Sequence, residues 1–124
     1  MPDTRKTVFL LDDSEIALAV ARQSLETAGF RVIAANNLAE FEERQAGISP
    51  DLVLLDVQMP ELFGDDVGFV LRGVRGVTAP VYLFSSLDEE ELERRVLAAE
   101  LDGYMCKSAG IEAMVDRVRT ILGT

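Results

Sequence analysis

The chain has 124 residues, 48% of them apolar and 27% charged, with a formal net charge of −10. That length makes one domain with a core of its own, and the acidic balance excludes binding to nucleic-acid phosphates or anionic membranes, which requires basic clusters. Histidine is absent and Cys106 is the only cysteine, so Ser-His and Cys-His nucleophile pairs and an intramolecular disulfide are excluded too.

Residues 1–6 read as a frayed start to a single domain spanning 1–124. The apolar run after them stops at Asp12, far short of a signal peptide, and no stretch approaches the length of a membrane span, so a cytoplasmic protein is expected. The first strand, about 7–11, carries Val8-Phe9-Leu10-Leu11 and ends in Asp12-Asp13-Ser14. An all-apolar run of this kind suits a strand buried on both faces. Ser14 can cap a helix at about 14–28, and Gly29 can stop it. A strand at 31–35 follows, then a helix at 38–46 that Asn37 and Glu40 open in the manner of a capping box.

The strand at 51–55 carries Leu52-Val53-Leu54-Leu55 and ends at Asp56. Gly68 and Gly73 weaken the next helix pattern, 65–75, by about 1 kcal/mol each relative to Ala. The strand at 80–84 ends in Ser85-Ser86, and Ser86 is a candidate cap for the helix at 88–100, whose acidic start suits the helix dipole. The strand at 102–106 ends at Lys107; Cys106 within it reads as a small buried hydrophobe. In the last helix, 110–122, Ile111, Met114, Val115, Val118, Ile121 and Leu122 form one apolar stripe.

Strands alternating with helices imply an α/β fold: a doubly wound parallel sheet with right-handed crossovers. For five such units, (βα)5, the flavodoxin-like strand order 2-1-3-4-5 is the natural one, with a site at the carboxyl ends of the first and third strands. Those strands end in Asp12-Asp13 and Asp56. Carboxylates brought that close repel unless a cation joins them, and their oxygens suit Mg²⁺. Taken singly, each residue has an ordinary reading: a turn and cap for Asp12-Asp13-Ser14, a loop acid for Asp56, a surface ammonium for Lys107, packing for Tyr104. Together at one edge, the three carboxylates, the Ser85-Ser86 hydroxyls and the Lys107 ammonium make a set able to hold Mg²⁺, present a carboxylate nucleophile and bind a phosphoryl group.

At this point the chain resembles the receiver domain of bacterial two-component response regulators. The resemblance rests on Asp12-Asp13, Asp56, Met59-Pro60 with Gly64 downstream, Ser85-Ser86, and Tyr104 ahead of Lys107. It implies that Asp56 accepts phosphate from a phosphohistidine on a sensor histidine kinase or phosphotransfer protein. It implies Mg²⁺ on Asp13, Asp56 and the backbone carbonyl of Gln58, with Asp12 acting directly or through water. Lys107 would pair with the acids and the phosphate, Ser85 would turn toward the phosphate, and Tyr104 would rotate inward. Such a switch changes the surface of the helix at 88–100, the strand at 102–106 and the helix at 110–122, where a downstream protein binds. The same surface suits a kinase, a target or a second copy, which leaves a homodimer open. The protein would catalyse its own phosphorylation and dephosphorylation without being a conventional enzyme.

Ser108 follows Lys107 where the family usually has proline, so a trans bond and a differently shaped loop are expected there. Phe63 stands before Gly64 where an acid is common, and Gln58 and Leu87 occupy positions that border the phosphate. Three other readings compete. One is a degenerate receiver that binds partners without phosphorylation. Another is a Mg²⁺-dependent hydrolase with an aspartate nucleophile; the residue two after Asp56, often a second acid in such enzymes, is Gln58. The third, an FMN carrier, conflicts with Asp12-Asp13 facing a phosphate.

Overall fold

A computed structural model describes residues 5–45, 47–56 and 79–124. Its elements are β1 (Thr7–Leu11), α1 (Glu15–Thr27), β2 (Arg31–Ala35), α2 (Leu38–Gln45), β3 (Leu52–Leu55), β4 (Val81–Ser85), α3 (Glu89–Ala99), β5 (Gly103–Cys106), a 3₁₀ turn (Lys107–Ala109) and α4 (Ile111–Leu122). The helix expected at 65–75, and Gln58, Met59, Pro60, Phe63 and Gly64, lie outside the described residues. All strand pairs are parallel, in the order β2-β1-β3-β4-β5. This is the flavodoxin-like order expected from the alternation of elements.

Strand alternation divides the core between the two faces of the sheet. Phe9, Leu11, Val53, Leu55 and Leu83 meet Phe41 and Leu92 on one face. Val8, Leu10, Leu52, Leu54 and Phe84 meet Ala21, Leu25, Met114 and Val118 on the other. Burial on both faces is why β1 and β3 read as unbroken apolar runs. In register, Leu11 lies between Ala35 and Leu55. Backbone bonds from Asp12 N–H to Ala35 O (3.2 Å) and from Asp56 N–H to Leu11 O (2.9 Å) carry that register one residue past the strands. Asp12 and Asp56 therefore emerge at the same edge.

Helix ends follow their chemistry with two corrections. Ser14 Oγ accepts the Ala17 N–H (3.2 Å). Gly29, at φ +99, closes α1 with N–H bonds from Gly29 to Glu26 O and from Phe30 to Leu25 O. Asp88, not Ser86, caps α3, its Oδ1 accepting the Glu91 N–H at 2.8 Å; an acid one residue before the helix outcompetes a hydroxyl three before it. Asn37 Oδ1 accepts from Glu40 N–H, but Glu40 Oε1 reaches back to Asn36 N–H rather than closing the box on Asn37. α3 ends at Glu100, a non-glycine residue in the left-handed region at φ 55.

The opposite edge is tied by two acids. Asp51 Oδ2 accepts the Thr7 N–H (2.7 Å) while Asp51 N–H donates to Thr7 O (2.8 Å). Asp102 repeats the arrangement on Val81, accepting at 2.8 Å and donating at 3.0 Å. Lys6 is not frayed: its carbonyl accepts the Arg31 N–H at 2.9 Å. Cys106 is partly buried against the Phe9 face.

Candidate functional site

Asp12, Asp13 and Asp56 bring carboxylate oxygens within 4.8 Å of one another. Asp12 and Asp56 are buried, 6% and 4% exposed, while Asp13 is exposed to solvent. Lys107 Nζ enters from the end of β5 and donates to Asp12 Oδ2 (2.6 Å) and Asp56 Oδ2 (3.2 Å). Asp12 Oδ1 also accepts the Ser14 N–H (2.9 Å), so the turn that starts α1 orients the carboxylate. Among the described residues no peptide bond is cis, so Lys107–Ser108 is trans. Lys107 instead opens the 3₁₀ turn, closed by Gly110 N–H on Lys107 O at 3.1 Å.

Among the described residues, three carboxylates face one ammonium, which leaves a surplus of negative charge there. Burial raises the Asp12 carboxyl above its usual range, helped by the Asp56 charge, and the bonds from Lys107 and Ser14 offset this only in part. Burial alone would lower the Lys107 ammonium, but its bonds and charge pairing with Asp12 and Asp56 outweigh that and raise it. The donor set is all hard oxygen with one acid open to solvent, which fits a small divalent cation of the Mg²⁺ class.

Ser85 is fully buried at the end of β4, and its Oγ accepts the Leu87 N–H at 3.3 Å. Tyr104 lies opposite Leu83 in the β4–β5 register, so it shares a face with Ser85. Its hydroxyl points outward and donates to Glu89 Oε1 at 2.8 Å. That bond, with Glu89 and Glu93 nearby, pushes the phenol up to about 12. The structure thus brings Asp12, Asp13, Asp56 and Lys107 together; Gln58 is outside the described residues. The sequence reading passed over Phe84, whose ring lies 5.6 Å from Lys107 Nζ, and Glu89 as the partner of Tyr104. Strand alternation carries the signal for Phe84, which stands opposite Met105, two residues before Lys107.

The family model described as the response regulator receiver domain matches residues 8–119. The chain belongs to this family. Among relatives, the receiver is 34% identical over 113 residues to the transcriptional regulatory protein KdpE of Mycobacterium tuberculosis, covering 90% of this chain and 49% of that protein. It is 25% identical over 121 residues to the polar-differentiation response regulator DivK of Brucella anthropi, covering 95% of this chain and 97% of DivK. The receiver thus spans about half the length of KdpE and nearly all of DivK. In fold it is similar to the chemotaxis protein CheY4 of Vibrio cholerae, with a TM-score of 0.82, 20% identity and coverage of 96% of this chain and 100% of that one. No helix among the described residues is long and apolar enough to cross a membrane.

Proposed function

We propose that this receiver, a single unit over 1–124, is a phosphorylation-dependent signalling switch that takes a phosphoryl group onto Asp56. The donor is the phosphohistidine of a sensor histidine kinase or phosphotransfer protein. The observation that carries the reading is the Lys107 ammonium shared by Asp12 and Asp56 beside an open Asp13. An Asp56 oxygen attacks phosphorus as the P–N bond to the donor imidazole breaks, and the bond's electron pair leaves with the imidazole. Lys107 is then within reach of a phosphoryl oxygen, and Ser85 Oγ can exchange its bond from Leu87 for a donated bond to another.

Asp13 and Asp56 would hold Mg²⁺, with Asp12 directly or through water and the backbone carbonyl of Gln58. When bound, the ion supplies neutralising charge at the transferring phosphoryl group. The receiver catalyses its own phosphorylation and dephosphorylation and is no conventional enzyme. Ile16 and Val20, 80% and 46% exposed and one turn apart on α1, the helix that follows Asp13 in the chain, form an apolar patch, and this is where the phosphodonor protein docks. Output runs through Tyr104: leaving Glu89 and turning inward would alter the α3–β5–α4 surface, where Leu97 is 74% exposed, toward a downstream protein or a second copy. This domain contacts neither nucleic acid nor membrane, and we place it in the cytoplasm.

A degenerate receiver would gain nothing from surplus buried charge. Treatment with acetyl phosphate and Mg²⁺ followed by intact-mass measurement tests the reading. Wild type should gain one phosphoryl group and Asp56→Asn none; equal gain in both would reject it.

A further inference from the structure

Strand alternation puts Phe84 and Lys107 over one face of the sheet. Phe84 pairs with Met105 across β4 and β5, and Lys107 follows Met105 by two. The Phe84 ring centroid is 5.6 Å from Lys107 Nζ, and the Lys107 side chain is only 21% exposed. The same ring lines a small cavity with Asp12 and Asp56. A ring face within about 6 Å attracts a cation, most strongly where water is displaced. The lysine stem is flexible, and two hydrogen bonds to carboxylates leave the side of approach open. The ring closes that side. A leucine would fill the same apolar position, so packing alone does not call for an aromatic residue.

We propose that Phe84 is a positioning residue for phosphoryl transfer: its ring face holds the Lys107 ammonium at Asp12 and Asp56. It touches no reacting atom and acts through Lys107. The kinetic half of the claim rests on Asp56 as the acceptor; the geometric half does not.

The chain has only two lysines, Lys6 and Lys107. Lysine labelled at the ε-carbon therefore gives two NMR signals, which Lys107→Arg tells apart. The Phe84 ring current should displace the Lys107 ε-CH₂ protons upfield of those of Lys6. Phe84→Leu should abolish the displacement and Phe84→Tyr keep it. In parallel, Phe84→Leu should slow phosphorylation by acetyl phosphate about fivefold, yet slow it no further in a Lys107→Ala background. A Lys107 signal beside that of Lys6 in wild type, or one unmoved by Phe84→Leu, overturns the proposal. Equal slowing in the Lys107→Ala background also overturns it, because the effect would not then pass through Lys107. Should Phe84→Leu not fold, Phe84→Met and the wild-type signal position decide. If wild type takes no phosphate, the acceptor reading fails and the NMR comparison alone judges Phe84.

Discussion

Lys107 Nζ sits 2.6 Å from Asp12 Oδ2, joining the end of β5 to the end of β1 across 95 residues of chain. The same ammonium reaches Asp56, so among the described residues one cation holds two buried acids while Asp13 makes no ion pair. Among those residues the site is therefore short of positive charge, and that shortage is what a divalent cation or an incoming donor would exploit.

Added Mg²⁺ should stabilise the folded receiver. A ligand that binds only the native state contributes about 2.7 kcal/mol at about 100 times its Kd. Thermal unfolding should move up with MgCl₂ in wild type and stay in place for Asp13→Asn. Metal-free Asp13→Asn should unfold above metal-free wild type, because one of three close like charges is gone. An equal Mg²⁺ response in both proteins would remove Asp13 from the ligand set.

Tyr104 should ionise unusually late. Its hydrogen bond to Glu89 raises the phenol from 10.0 to about 12. A raised value means the bond's contribution is complete below pH 10 and is lost as pH rises through about 12. Absorbance after a pH jump in a Tyr82→Phe background, which isolates Tyr104, should show the late ionisation. Glu89→Ala should bring it back toward the ordinary tyrosine value.

The exposed patch on α1 separates two kinds of donor. Ile16→Glu should slow transfer from a phosphohistidine protein about tenfold or more, as loss of a central apolar contact does. Transfer from acetyl phosphate should be unchanged, since Ile16 is 80% exposed and carries no group that bonds to the acids or to phosphate. Equal slowing with both donors would put Ile16 in the chemistry instead of the docking surface.

Glu100 holds a left-handed backbone at φ 55 without glycine's freedom. Glu100→Gly should stabilise the fold by about 1 kcal/mol, read as a shift in the urea midpoint at constant slope.

Much of this architecture is legible in the chain. The apolar runs Val8-Phe9-Leu10-Leu11 and Leu52-Val53-Leu54-Leu55 mark doubly buried strands, and right-handed crossovers then put Asp12 and Asp56 at one edge. What stays hidden depends on partners far away in sequence. Asp51 and Asp102 look like loop acids, because nothing local shows that each will accept a strand's first N–H. Phe84 looks like core, since its contact with Lys107 exists only once β4 and β5 are paired. Glu100 looks helical because a glutamate favours helix, and only the chain's return into β5 forces it left-handed.

The central claim is that Asp56 carries the phosphoryl group. After treatment with acetyl phosphate and Mg²⁺, borohydride reduction converts an acyl phosphate to an alcohol that peptide mapping can place. The account predicts modification at Asp56 alone, and none in Asp56→Asn or without Mg²⁺. Modification at Asp12, Asp13 or a serine in wild type, or none anywhere, would contradict it.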